Sequence, residues 1–168
     1  MVERIGGLEV EQDLRFQRRD WMAQRVGWGV MALLVIAALT GLFGRGPASA
    51  QHATAADRTL RVDFDRFVRK HAPSALEVTI APAAVAGGGA AVWLDRRWSD
   101  RVRVERVTPE PERVTVEPDR LVYFFAARSP GEPVRVDFEL SPERVGDAWG
   151  RVGVVGGAPA EFRQFVYP

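Results

Sequence analysis

Residues 26–43 read VGWGVMALLVIAALTGLF, eighteen positions without a charged side chain. A helix rises ~1.5 Å per residue, so this run is ~27 Å long and a start at Trp21 lengthens it further. The hydrocarbon core of a bilayer is ~30 Å thick. Trp21 and Trp28 lie toward one end and Phe43 closes the other, as is typical of aromatic residues at membrane interfaces. We therefore predict a transmembrane helix over residues 21–43.

The arginines around this span predict its orientation. After the span, Arg45 is the first basic residue and Arg58 is the next. Five arginines precede the uncharged run at residues 26–43: Arg4, Arg15, Arg18, Arg19 and Arg25. Because basic residues stay on the cytoplasmic side, we expect an inner-membrane protein with a cytoplasmic N-terminus. The C-terminal part would then be periplasmic.

A cleaved export signal is the alternative to a retained anchor. A small-x-small cleavage site is present before Gln51, at Ala48-Ser49-Ala50. The pair Arg18-Arg19 resembles a twin-arginine export signal. The apolar run is longer than the roughly 7–15 residues of a signal core. We therefore favour the anchor.

Composition limits the class of protein. Of the 168 residues, the 111 that follow residue 57 suffice for one domain. There is no cysteine, so the domain has no disulfide and no thiolate metal site. Those 111 residues hold seventeen basic and sixteen acidic side chains, which argues against a nucleic acid partner. A single lysine and no asparagine favour a GC-rich bacterial genome.

Two further surfaces of the N-terminal part are partner-contact candidates. Residues 1–20 form a predicted amphipathic cytoplasmic tail, because Val10, Leu14 and Trp21 share one helical face. Within the span, Ala37 and Gly41 are a small-xxx-small pair, which lets two helix backbones approach closely. The expected partners are the lipid bilayer and an integral membrane protein.

Beyond a predicted linker at residues 44–57, the pattern changes to a period of two. Leu60, Val62 and Phe64 alternate with charged residues, which predicts a half-buried strand that continues toward residue 68. Turn formers separate further runs of this kind. These predicted strands are 76–80, 90–94, 102–107, 113–116, 121–126, 134–140, 152–155 and 162–167. We therefore predict that residues 58–168 fold as an all-β, immunoglobulin-like antiparallel sandwich.

Two segments interrupt the alternation, and both carry tryptophan. Residues 94–100 have the charge spacing of a helix, which predicts a helical turn or a long bent connection, and they contain Arg97 and Trp98. Residues 146–150 contain Trp149. Tryptophan and arginine often anchor interfaces. We expect each tryptophan to be a partner contact if it is exposed and part of the core if it is buried, with burial favoured for Trp149.

The core itself is predicted from an uninterrupted apolar run. Residues 123–125 are Tyr-Phe-Phe, which is typical of a central strand that is covered on both faces. Its alternate side chains should meet Val136, Phe138 and Leu140 across the sandwich. Trp93 is a further predicted core residue.

No residue pattern specifies a reaction. His71 stands in a predicted turn without a nucleophile beside it, and surface ion pairing accounts for Asp63 and Asp65 next to Arg61. The glycine runs lack the lysine of a phosphate-binding loop. We predict no catalytic residue, no metal site and no cofactor.

The C-terminal half resembles a group of uncharacterised bacterial single-pass membrane proteins that carry one small β-sandwich. The resemblance rests on residues 121–125, 133–144, 156–157 and 164–168. It implies an anchor followed by a sandwich, and it implies no activity. Two hypotheses for function follow from the sequence. The first is a non-enzymatic accessory subunit of a membrane complex, for example a respiratory or photosynthetic one. The alternative is a binding module for a glycan, a peptide or an envelope component.

Overall fold

The apolar run forms a helix, α1, over Leu14–Leu39 in the computed structural model. The structure describes residues 14–39, 49–85, 88–127 and 131–168. The chain divides into two units, one ending at Leu39 and the other beginning at Thr40.

Within α1, the segment Arg19–Leu39 has a mean hydropathy of 1.7 and is not buried against other described residues. It is the one helix in the described ranges that is long and apolar enough to cross a membrane. A signal sequence would share these properties, so the retained anchor stays a prediction. The last predicted positions of the span, 40–43, lie outside the described residues.

The second unit contains eleven strands, a short α-helix and a 3-10 helix at Pro82–Ala84 among its described residues. The strands are β1 Ala50–Thr54, β2 Leu60–Asp65, β3 Phe67–Arg69, β4 Ser74–Ile80, β5 Gly89–Asp95, β6 Val102–Thr108, β7 Arg113–Val116, β8 Arg120–Ala126, β9 Val134–Pro142, β10 Gly146–Val154 and β11 Pro159–Tyr167, and the short helix, α2, is Arg96–Ser99.

These strands form two sheets. The five-stranded sheet has the order β1-β2-β4-β9-β6, and the six-stranded sheet has the order β3-β11-β10-β5-β8-β7. All pairings are antiparallel except that of β3 with β11. The predicted β-sandwich is therefore confirmed as a mostly antiparallel pair of sheets, while its immunoglobulin-like character stays a prediction.

The core lies between the two sheets, where alternate side chains of each strand meet. On the five-stranded sheet Val136 and Phe138 are fully buried, and on the six-stranded sheet Tyr123 and Phe125 face them. The rings of Tyr123 and Phe138 make an edge contact with centroids 5.2 Å apart. The predicted contact between these two strands is confirmed.

The predicted linker is wrong where the structure describes it. Ala50–Thr54 is strand β1, and each of its five residues pairs with β2. Ser49, just before it, is fully buried. Backbone hydrogen bonds to β2 and to the turn after it hold this segment in the sheet, and residues 44–48 lie outside the described residues.

Two interpretations of tryptophan-bearing segments are also wrong. Residues 146–150 are regular and begin β10, which pairs with β11. Trp93 is not a core residue, because its neighbours Val92 and Leu94 take the inward positions of β5. Its indole instead lies over Gly153 on the outer face, where a Cβ atom would come within 2.8 Å of the ring.

Candidate functional site

The outer face of the six-stranded sheet carries five large aromatic side chains that lie outside the core. Trp149 is 64 % exposed and Phe165 is 45 % exposed. Phe67, Trp93 and Phe124 are half-buried on the same side. Strand alternation places them there, because their chain neighbours point into the sandwich. We call these five residues the aromatic face.

Arginine side chains lie on four of these rings. Their distances from guanidinium carbon to ring centroid are compatible with cation–π attraction. The pairs are Arg113 on Phe124 at 4.1 Å, Arg163 on Trp149 at 5.1 Å, Arg66 on Phe67 at 5.4 Å and Arg120 on Trp93 at 5.9 Å. The aromatic face therefore presents rings and guanidinium groups together.

Two carboxylates hold arginines in place on this face. Arg163 donates from Nε and Nη2 to Oδ1 of Asp147, at 3.0 and 2.8 Å. Arg151 donates in the same way to Oδ2 of Asp95, at 3.1 and 2.8 Å. An arginine that is already held loses less side-chain entropy when a partner binds. Binding of a partner to the aromatic face would therefore cost less side-chain entropy.

Asp95 also explains the short helix that follows β5. Its Oδ1 accepts hydrogen bonds from the backbone N–H of Arg97 at 2.8 Å and of Trp98 at 3.3 Å, so it caps α2. The predicted helical turn at 94–100 is therefore confirmed. This turn directs Trp98 into the sandwich.

Trp98 is fully buried, so of its two predicted roles it has that of a core residue and is not exposed for a partner. Its ring meets Phe162 edge-on with centroids 5.1 Å apart. The two rings occupy the space above Gly150, where a Cβ atom would lie 2.4 Å from Phe162. The Nε1 of Trp98 has no hydrogen-bond partner among the described residues. The free energy gained by burying this large apolar ring offsets the cost of that unpaired donor.

The other predicted contact residues have different positions. Trp149 is exposed, contrary to the favoured burial, and Arg97 is exposed on α2. On α1, Trp21 is exposed with Arg25 stacked on it at 3.7 Å, and Ala37 is part of the same helix. Val10, Gly41 and the side chain of Leu14 lie outside what the structure describes.

The opposite face of the sandwich has a contrasting character. Ion pairs cover the outer side of the five-stranded sheet, including Arg61 with Asp63 at 2.7 Å, as predicted, and Arg106 with Glu139 at 3.9 Å. None of the large exposed apolar side chains described in the domain lies on its strands. Such paired surface charges are typical of a solvated face.

Two concave regions accompany these faces. A groove of about 420 Å³ runs beside Trp149 and is lined in part by Gln51, His52, Glu161 and Arg163. A cleft of about 500 Å³ lies between the start of β9 and the segment after β6, and its acidic residues are Glu110, Glu112, Glu132 and Asp137. In the described ranges no three histidine or acidic residues are placed to share a metal ion.

The residues considered for chemistry sit in surface positions. His71 is exposed in a turn with a φ of 59°, as predicted. Asp63 is ion-paired with Arg61 at 2.7 Å, and Asp100 with Arg96 at 3.2 Å. These carboxylates have structural partners.

Sequence reasoning identified Trp149 and missed the rest of the aromatic face. Phe67 and Phe165 lie about a hundred residues apart in the chain, and only the parallel pairing of β3 with β11 makes them neighbours. The alternation in residues 161–167 was the available signal. It separates Phe165 from Phe162 and Val166, but it does not show which side faces the core.

Comparisons with known proteins show a distant likeness in fold. No family model and no curated protein matches the chain. Among solved structures, it is similar to a cohesin module from a family 33 glycoside hydrolase of Clostridium perfringens ATCC13124, at 12 % identity. The match covers 64 % of this chain and 95 % of the module, with a TM-score of 0.42. No ligand or partner follows for this chain from a likeness at that level.

Proposed function

We propose that this protein is a non-enzymatic accessory subunit of a bacterial membrane complex, anchored by α1 and docked through the aromatic face. In this proposal the sandwich, of the immunoglobulin-like kind, lies on the periplasmic side of the inner membrane. The observation that carries it is the concentration of rings and guanidinium groups on one face of the sandwich.

The composition of the aromatic face supports protein contact. Tryptophan, phenylalanine and arginine are enriched in the centres of protein interfaces. A ring that is 64 % exposed, as in Trp149, retains most of its apolar surface for burial by a partner. The ion-paired opposite face offers no comparable gain, so the two faces have different roles.

Helix α1 supports the accessory-subunit function independently of the aromatic face. Its apolar residues are exposed in the described structure, which suits contact with lipid or with another membrane helix. The arginine distribution favours a cytoplasmic N-terminus. Two weak contacts on one chain, one in the membrane and one outside it, reinforce each other through effective concentration.

A second function is favoured by the groove beside Trp149. An exposed ring next to the hydrogen-bonding side chains of Gln51, Glu161 and Arg163 is an arrangement that can stack on and hydrogen-bond an extracytoplasmic ligand. This would make the protein a binding module for a glycan, a peptide or another envelope component. The ligand would then occupy the groove instead of the whole face.

Purification of the tagged full-length protein in mild detergent tests the first function. Trp149→Ala with Phe165→Ala should reduce the co-purified partner roughly tenfold or more, the effect of losing a hot spot worth ~2 kcal/mol. The matched control, Arg61→Ala with Asp63→Ala on the ion-paired face, should leave the partner bound.

The same variants separate the two functions. Full retention of the partner by the aromatic-face variant would contradict docking through this face. If the wild type brings down no protein but binds an isolated envelope glycan, and Glu161→Ala abolishes that binding, the second function is the better account.

A further inference from the structure

Strand β7 is an edge strand whose apolar side is uncovered. It is the last strand of the six-stranded sheet, and no described strand pairs with its outer edge. Val114 and Val116 are 45 % and 63 % exposed, although both lie on the side of the sheet that faces the core. The register determines that side, because Val114 and Val116 stand opposite Tyr123 and Leu121 of β8, whose side chains point toward the core.

The hydrogen-bonding groups of these two valines point away from the sheet. The N–H of Glu117 donates to the carbonyl of Arg120 at 2.9 Å, so Glu117 bonds toward β8. Alternate residues of an antiparallel strand bond to the same neighbour. Thr115 and Arg113 therefore also bond toward β8, which leaves the N–H and C=O groups of Val114 and Val116 directed outward.

The sequence of this edge is complementary to itself. Residues 113–117 read Arg-Val-Thr-Val-Glu. When two copies run antiparallel and centre on Thr115, Arg113 of each copy stands opposite Glu117 of the other. Val114 then stands opposite Val116, and Thr115 opposite Thr115. Opposite charges, β-branched pairs and threonine pairs are all favourable across strands.

The same register also pairs the outward backbone N–H and C=O groups of β7. Val114 and Val116 form the hydrogen-bonded pairs, which gives four N–H···O=C bonds between the copies, and Thr115 forms a pair without hydrogen bonds at the two-fold axis. A shift by one residue would place each valine on the opposite face from its partner. The faces and the charges therefore select one register.

We propose that β7 is a self-association edge, through which two copies of this chain join their six-stranded sheets into one continuous sheet. The four valines of the two copies form an apolar cluster beside Tyr123 and Leu121. Glu117, which already holds Arg120 at 2.6 Å, gains Arg113 of the second copy. Arg113 also lies on Phe124 of the aromatic face, but the most exposed rings of that face, Trp149 and Phe165, lie on β10 and β11 and stay uncovered in the dimer.

A single introduced cysteine tests the register directly, because the chain contains none. In the full-length protein in isolated membranes, Thr115→Cys should give a disulfide-linked dimer on oxidation. Paired residues of this type have Cα atoms about 4.5 Å apart, within the range of a disulfide. Thr54→Cys is the matched control, since Thr54 is an exposed threonine on the edge strand β1.

Charge exchange in the Thr115→Cys background provides the second arm. With Arg113→Glu, an acidic side chain at position 113 of each copy faces Glu117 of the other copy. Because like charges repel at both places, the amount of cross-linked dimer should fall about fivefold or more. Arg113→Glu with Glu117→Arg restores opposite charges and should restore the dimer. The melting temperature of each variant shows whether the domain is folded.

Three outcomes would overturn the proposal. The first is a Thr115→Cys dimer no more abundant than that of Thr54→Cys. The second is failure of the double exchange, in a folded variant, to recover the dimer lost in the single one. The third is a Thr115→Cys product that contains a different protein, which would show that another strand occupies the edge.

Discussion

At the scale of single residues, Phe124 and Phe125 show how one strand serves two surfaces. Phe125 is buried in the core and stacks near Tyr123, with centroids 6.5 Å apart. Phe124 is half-buried on the outer face beneath Arg113. The two neighbours have the same side chain and contribute to different properties of the protein.

We therefore expect unequal costs from the same substitution. Phe125→Ala should destabilise the domain by ~3–5 kcal/mol, since it opens a cavity in the core. Phe124→Ala should cost clearly less, because its ring is already partly in water. Denaturant unfolding of the full-length protein in detergent measures both. Equal losses for the two variants would mean that β8 does not divide its rings between core and surface as described.

The residue scale also shows what alternation alone could not decide. Residues 121–126 are apolar at nearly every position, so the pattern predicted a buried strand without saying which ring faces inward. In β11, Gln164 occupies an inward position and is buried. Its Nε2 donates to the carbonyl of Asp65 at 3.0 Å, a long-range contact that no local pattern reveals.

At the scale of elements, one carboxylate joins two turns. Asp57 lies between β1 and β2, and its Oδ1 accepts hydrogen bonds from the hydroxyl and the N–H of Thr59 at 2.6 and 3.0 Å. Its Oδ2 accepts from the N–H of Ala158, between β10 and β11, at 2.6 Å. The hydroxyl of Thr59 and then these backbone donors lower the pKa of Asp57, because they stabilise the charged form.

This contact should make stability depend on pH. Because the pKa of Asp57 is lower in the folded state than in the unfolded state, ionised Asp57 stabilises the fold at pH values above the unfolded pKa, ~3.9 for aspartate. This stabilisation is lost as the pH falls through the lower pKa of the folded state. Asp57→Asn should therefore lower the melting temperature at pH 7, and its difference from the wild type should shrink below about pH 3. Asp63→Asn is the matched control. A difference that is constant with pH would contradict this role of Asp57.

Prediction of the elements was accurate where local chemistry determines them. Eight predicted strand segments after residue 70 coincide with strands β4 to β11, because turn formers bound them and their side chains alternate. Strand β1 was missed because its sequence, Ala-Gln-His-Ala-Thr, is short and weakly apolar, and pairing with β2 determines it. The start of β10 was missed because it contains Gly146 and Gly150. The glycine at 150 makes room for two rings of the core.

At the scale of the whole molecule, the sequence predicted the order of an apolar helix and a β-sandwich but not the difference between the two faces of the sandwich. That difference depends on which strands are neighbours. The register of β3, β11 and β10 brings Phe67, Phe165 and Trp149 to one side. Local periodicity specifies the sides of a strand, whereas only the topology assembles the sides into a surface.

The candidate cleavage site at residues 48–50 includes Ser49 and the first residue of strand β1. Ser49 is fully buried, its Oγ accepts a hydrogen bond from the N–H of Phe67 at 3.1 Å, and its carbonyl accepts one from Arg66 at 2.7 Å. Cleavage before Gln51 would remove these acceptors and the first residue of β1.

The hydrogen bond from Phe67 is partly buried, and a donor that loses its partner in such a place destabilises the fold. We therefore expect that the mature protein keeps Ser49 and Ala50 together with α1. The intact mass of the protein extracted from membranes decides this, since a chain that begins at Gln51 would be shorter by the whole helix. Recovery of that shorter form as the stable, folded product would contradict both the retained anchor and the structural role of Ser49.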